Sequence, residues 1–141
     1  MVETLHSIEV GDEVPGYTTK PITRTTLALF AGASGDHNKI HIDIDFARKA
    51  GMDDVFAQGM LPMAYLGRLL TDWAPQTAIR KFSCRFRAIT HLTEAITCSG
   101  EVTEKWDEEG ETFVKLALTA ANSAGEVKLA GAAVIALPNN N

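Results

Sequence analysis

The 141-residue sequence has few of the features that would classify it at once. It holds two cysteines, Cys84 and Cys98, each inside an apolar run. That is too few for a disulfide framework or a zinc site, so both read as small buried thiols. Long hydrophobic runs are missing too. The longest, "GMLPMAYLGRLL" at 59–70, is interrupted by Pro62 and Arg68 and is too short to span a bilayer. Positive charge is in deficit, with 13 Lys and Arg against 18 Asp and Glu and a net charge of -5, which argues against a general nucleic-acid binder. The opening "MVETLHSIEVGDE" lacks the basic and then apolar order of a signal peptide. These absences lead to the expectation of a soluble cytoplasmic protein with no nucleic-acid or membrane partner. No segment repeats and no Pro-, Gly- or Ser-rich stretch divides the chain. The expectation is one domain over 1–138, with 139–141, "NNN", as a frayed tail.

What is present begins with helical signals. After a loop-rich opening that contains Gly11, Pro15 and Gly16, "TRTTLALFAGAS" offers Thr23 as an N-cap and Leu27, Phe30, Ala31 and Ser34 at helical spacing. Gly35 should end that helix. "HIDIDFARKAG" reads as an extended approach followed by a short helix, capped by Asp43 or Asp45 and ended by Gly51. Residues 59–73 form the most apolar helix candidate, with Pro62 tolerated in its first turn. A helix apolar on nearly every side is normally wrapped by the rest of the fold.

The second half changes period. In "AIRKFSCRFRAI", Phe82, Cys84 and Phe86 alternate with Lys81, Ser83, Arg85 and Arg87, as in a strand with one buried face. "AITCSGEVTEKW", "ETFVKLALTAAN" and "EVKLAGAAVIAL" follow as strands separated by the turn sequences "DEEG" and "SAG". Helices followed by an antiparallel meander indicate an α+β domain in which a sheet curls around the apolar helix.

Between the first two helices lies "SGDHNKIH", residues 34–41. Asp36 and His41 are five residues apart, so a regular helix would turn them away from each other, whereas an irregular loop lets both point into one cleft. A carboxylate and an imidazole flanking one water are suited to adding that water to an activated double bond or removing it. The alternative is structural, with Asp36 closing a Gly-Asp turn and His41 an ordinary surface or core histidine. A metal is not expected. His37 and His41 have i, i+4 spacing, but no third ligand pattern accompanies them.

"FAGASGDHNKIH", followed by "IDIDFARKAG" and "FAQGM", resembles the hydratase 2 motif of MaoC-like (R)-specific enoyl-thioester hydratases and dehydratases. Length and layout resemble the small subunit type of the (3R)-hydroxyacyl-acyl-carrier-protein dehydratases. The resemblance implies a hot dog fold, an antiparallel sheet around a long helix, and reversible hydration of an enoyl thioester carried on CoA or acyl carrier protein, without a cofactor. It puts the catalytic pair on Asp36 and His41, a loop-bracing asparagine on Asn38, and the backbone donor that polarises the thioester carbonyl on Gly59. An unpaired N–H at a helix N-terminus suits a developing oxyanion. Two residues depart from the family pattern: Lys39 stands where proline is usual, and Gln58 where histidine is usual.

Met60, Met63, Ala64 and Leu66 are candidates for the wall of an acyl channel, or plain core. Arg80, Lys81, Arg85 and Arg87 are candidates for contact with CoA phosphates or an acidic carrier, or a solvated strand face. Two rivals to a hydratase are a hot dog thioesterase, although 59–71 contain no carboxylate, and a weakly catalytic or non-catalytic subunit of a mixed dimer. An apolar helix together with open sheet edges points to a homodimer or to half of a heterodimer with another hot dog subunit.

Overall fold

The computed structural model describes residue 5 and residues 7–139. Strand β1 (Glu13–Thr18) is followed by helix α1 (Arg24–Ser34), a 3₁₀ turn (Lys39–His41), helix α2 (Ile44–Lys49) and helix α3 (Met60–Trp73). A second 3₁₀ turn (Gln76–Ala78) leads into β2 (Ile79–Phe86), β3 (Thr97–Glu108), β4 (Glu111–Ala121) and β5 (Val127–Leu137). The five strands form one sheet in the order β1-β3-β4-β5-β2, and every neighbouring pair is antiparallel.

The meander is built as its turn residues require. Glu109 and Gly110 join β3 to β4 with φ of 50° and 80°, the positive pair that matches a two-residue hairpin to strand twist. Alternation then decides which side is core: Val114, Leu116, Leu118 and Ala120 of β4 are buried, as are Leu129, Ala133 and Ile135 of β5. Against this face lie Leu61, Leu66, Leu69, Leu70 and Trp73 of α3. Leu66, Leu69 and Leu70 have no solvent exposure, and their burial stabilises the fold by roughly 2 kcal/mol each. The fold is the hot dog arrangement, an antiparallel sheet packed on one long helix.

Three expectations are corrected. The opening is not all loop, because β1 pairs with β3 despite Pro15 and Gly16. It is an edge strand, where a missing N–H is tolerated, and its register shifts between Val14 and Tyr17. Gly16 is required there, since a Cβ would lie 2.6 Å from the Cys98 carbonyl oxygen. Next, α3 is not wrapped on every side: Met60, Ala64, Arg68, Thr71 and Asp72 form an exposed face. Finally, β2 buries its apolar side only partly. Phe82 and Cys84 are half-buried, and Phe86 is 56% exposed. Cys98 is buried as expected, and both cysteines are free thiols.

No helix among the described residues is long and apolar enough to cross a membrane. The expected frayed tail falls on Asn139 and on residues 140–141, and the last two lie outside the described residues.

Candidate active site

Helix α1 leads to Asp36, the first of the candidate residues. The Thr23 side chain accepts from the Thr26 N–H at 3.2 Å, and Thr26 Oγ1 in turn accepts from the Thr23 N–H, which closes the helix start with a capping box. At the other end Gly35 takes φ 76°, ψ 3°, and its N–H donates to the Ala31 carbonyl. This left-handed residue ends the helix and puts Asp36 on irregular backbone.

Residues 36–41 then fold on themselves. Asp36 Oδ1 accepts from the Asn38 N–H at 3.3 Å, and Asn38 Oδ1 accepts from the Ile40 N–H at 3.1 Å. The irregular loop expected at 34–41 thus ends in a 3₁₀ turn nucleated by Asn38, because an asparagine side chain that caps its own backbone two residues on favours a turn, and the approach to α2 expected to be extended turns at His41 and Ile42 instead. His37, Asn38 and Lys39 face solvent and His41 is buried.

His41 is held from one side. Its Nδ1 lies 2.8 Å from the Phe56 carbonyl oxygen and its ring meets the Phe56 ring edge-on at 5.1 Å. A carbonyl can only accept, so Nδ1 carries the hydrogen and the neutral ring presents Nε2 as an acceptor. Nε2 faces Asp36 Oδ2 at 3.7 Å, too long for a direct hydrogen bond and short enough for both groups to hold one water or hydroxyl oxygen. The imidazole is about nine-tenths buried, whereas the carboxylate is 41% exposed. Proton and water exchange is therefore open on the aspartate side.

Gly59 lies at the start of α3. It has helical φ and ψ, and no side chain caps this helix end. Its N–H donates to no group among the described residues. A Cβ at Gly59 would sit 3.2 Å from the Phe86 ring, so the absence of a side chain lets β2 close on the helix terminus. Gly59, Pro62, Phe86, Arg87 and Ile89 line a cleft of about 340 Å³ whose surface is mainly apolar. Phe56 also lines it, while Asp36 and His41 do not. Phe56 is therefore the link between the catalytic candidates and the cleft, its carbonyl on His41 and its residue in the wall.

Gln58 is fully buried, and its Nε2 donates to the Leu27 carbonyl of α1 at 3.0 Å. The residue before Gly59 is thus tied to the helix that delivers Asp36. Its Oε1 has no partner among the described residues. Arg24 and Asp54 add a second tie through a bidentate pair with N···O distances of 2.8 and 2.5 Å. The Arg24 hydrogen bonds hold the Asp54 pKa below the usual carboxylate range.

The other candidates separate. Arg87 lines the cleft, but Arg85 lies in a different surface depression with Ser83, Cys84 and Gly131. Met60 is 52% exposed and outside the cleft lining, Ala64 is exposed, and Leu66 is core. Asp72, the only carboxylate of α3, lies at its far end and pairs with Arg68 at 3.4 Å. Phe56, Phe86 and Lys128 were not among the expected site residues, because what makes them matter is a partner distant in the chain. Among the described residues, no three His, Cys, Asp or Glu side chains gather as metal ligands.

Residues 7–123 match the model of the MaoC like domain. An (R)-specific enoyl-CoA hydratase of Rhodospirillum rubrum is 29% identical over 125 residues, covering 84% of this chain and 82% of that protein. A mitochondrial 3-hydroxyacyl-[acyl-carrier-protein] dehydratase of Arabidopsis thaliana is 25% identical over 133 residues, with 94% and 79% covered. Among solved structures, an unliganded (R)-hydratase of Pseudomonas aeruginosa superposes with a TM-score of 0.83 at 28% identity, covering 96% of this chain and 86% of that one.

Proposed function

The chain belongs to the MaoC-like domain family, and from that premise we propose that it catalyses the reversible hydration of a trans-2-enoyl thioester to the (R)-3-hydroxyacyl thioester. The stereochemistry follows the name of the Rhodospirillum rubrum relative, and the carrier is CoA or acyl carrier protein, following the names of the two relatives. The observation that carries the reading is the pairing of His41 Nε2 with Asp36 Oδ2 at 3.7 Å while Nδ1 is fixed on the Phe56 carbonyl.

The water held between the two groups adds its oxygen to C3 of the enoyl group. Its proton passes to His41 Nε2 or to Asp36 as the C–O bond forms. Electron density moves onto the thioester oxygen, where the free Gly59 N–H and the positive end of the α3 dipole stabilise it. A proton returned to C2 completes the addition, and the reverse sequence expels water. The apolar cleft beside Gly59 receives the acyl group, and Arg87 at its edge offers a cation to the phosphates of the carrier. Asn38 holds the reactive turn.

A second hot dog subunit, either a copy of this chain or a relative, covers the exposed face of α3 and the neighbouring Phe86. This reading rests on the exposure of Met60 and Phe86 at 52% and 56% and on the two open strand edges.

The direct test follows the loss of ultraviolet absorbance when crotonyl-CoA or a longer enoyl-CoA meets the purified protein. Asp36→Asn and His41→Ala should each lower kcat by about 10² to 10⁴-fold with fold and oligomeric state retained. Wild-type rates in both variants would remove the pair from the mechanism. Release of free thiol would identify a thioesterase instead.

A further inference from the structure

Lys128 has no solvent exposure. Its Nζ donates to the Ile89 carbonyl at 2.8 Å, pairs with Glu94 Oε2 at 2.8 Å, and also contacts Glu126 Oε1. Burying an ammonium is costly, and a well-packed apolar side chain in such a site is commonly at least as stable. Stability of β5 therefore does not account for a lysine here, and what the lysine holds becomes the question.

It holds one wall of the cleft. Residues 87–90 leave β2 as irregular backbone, and all four line the cavity with Gly59. The Arg87 and Ala88 N–H groups donate to the Lys128 carbonyl at 2.9 and 3.3 Å, and the Ile89 carbonyl takes the ammonium. One residue thus grips the segment through both its backbone and its side chain. Glu94 extends the grip: it accepts from the His91 N–H at 3.4 Å and from Asn122 Nδ2 at 3.3 Å. On its other side the wall is bonded to the segment that leads into Gly59. The Ala57 N–H donates to the Thr90 carbonyl at 2.9 Å, His91 bridges to Phe56, and the Phe56 carbonyl holds His41.

We infer that Lys128, with Glu94, is a positioning residue that sets the shape of the acyl cleft and thereby the chain-length preference of the enzyme, an inference that rests on the hydratase reading above. The ion pair converts a loop that would otherwise sample several conformations into a fixed wall, so pocket fit discriminates between acyl chains.

The test compares wild type with Lys128→Met and with the double variant Lys128→Met/Glu94→Gln, which leaves no unpaired charge at Glu94 and so guards against simple unfolding. The ratio of kcat/KM for crotonyl-CoA to that for trans-2-octenoyl-CoA does not depend on the folded fraction. It should change by about tenfold, the size of effect carried by a methylene or two of pocket fit. Amide exchange at Ala57, Arg87 and Ala88 should accelerate in the same variants. An unchanged ratio in the folded double variant overturns the inference, whatever the exchange does, because the pair would then be only a structural clamp. If wild type hydrates neither CoA thioester, the same ratio is read on the acyl-carrier-protein thioesters, and inactivity on both carriers ends the hydratase reading by itself. Unchanged exchange at Ala57, Arg87 and Ala88 in the double variant also overturns the inference, because the pair would then not hold the wall.

Discussion

The N-termini of α1 and α3 are built on opposite principles. The start of α1 is closed by a reciprocal pair of hydrogen bonds from Thr23 and Thr26, so two of its free donors are satisfied within the chain. The start of α3 has no side-chain cap, and the Gly59 N–H points to no protein partner among the described residues. The capped end lies at the surface, with Thr23 exposed; the uncapped one lines an apolar cleft. A helix terminus left unpaired beside a cavity gives up local stability and gains an electrostatic site. The difference therefore separates a terminus closed by its own residues from one left open to the cleft.

Gly59→Ala should break the comparison most visibly. The added Cβ would lie 3.2 and 3.3 Å from two atoms of the Phe86 ring, and that half-exposed ring can shift. Folding should survive, while kcat/KM falls by about tenfold as Phe86 and the oxyanion donor move by a few tenths of an ångström. Steady-state kinetics with a thermal melt would separate the two effects, and parallel losses in both would assign Gly59 to packing. Thr23→Ala is the counterpart at the capped end. It should cost about 1 kcal/mol of stability and leave kcat unchanged, as read by denaturant titration beside the same assay. A clear loss of kcat would show that α1 transmits strain to Asp36.

The smallest effect belongs to the tie between α1 and the loop that precedes α3, Arg24–Asp54. Asp54 has a lowered pKa in the folded chain, chiefly through its hydrogen bonds to Arg24. Its contribution to stability is therefore present above the unfolded carboxylate pKa and is lost as pH falls through the folded value. Asp54→Asn should flatten the acid side of the stability profile slightly and leave neutral-pH activity intact. Melting curves from pH 3 to 7 would check the sign, and a steeper acid limb in the variant would contradict it.

How much of this was legible follows from sequence distance. Asp36, Asn38 and His41 lie within six residues, and Gly35 sets the backbone that follows it, so the convergence of Asp36 and His41 could be read locally. The period-two runs likewise placed β2 to β5 to within a few residues of their observed positions. β1 was missed because Pro15 and Gly16 are loop signals wherever no edge-strand partner can be seen. The 3₁₀ turn at 39–41 was read only as irregular loop, because the cap from the Asn38 side chain to the Ile40 N–H shows only in the fold. The contacts of Phe56, Phe86 and Lys128 could not be read for a different reason: each meets a partner fifteen or more residues away. Gln58 showed as a departure from the family pattern, but its bond to Leu27 needed the fold.

The order of the sheet carries a temporal consequence. β3, β4 and β5 are joined by short turns, whereas β1 pairs across the chain, Glu13 with Glu101, and β2 pairs with the last strand, Cys84 with Gly131. The whole segment bearing Asp36, His41 and Gly59 is thus a long loop closed only when both outer strands dock, and loop closure must precede the contacts that reward it. A chain emerging during synthesis holds Asp36, His41 and Gly59 long before it holds β5. They come together only once β5 has emerged and β2 has docked on it, an order that pulse-labelled exchange would read as protection in 97–137 ahead of 55–59.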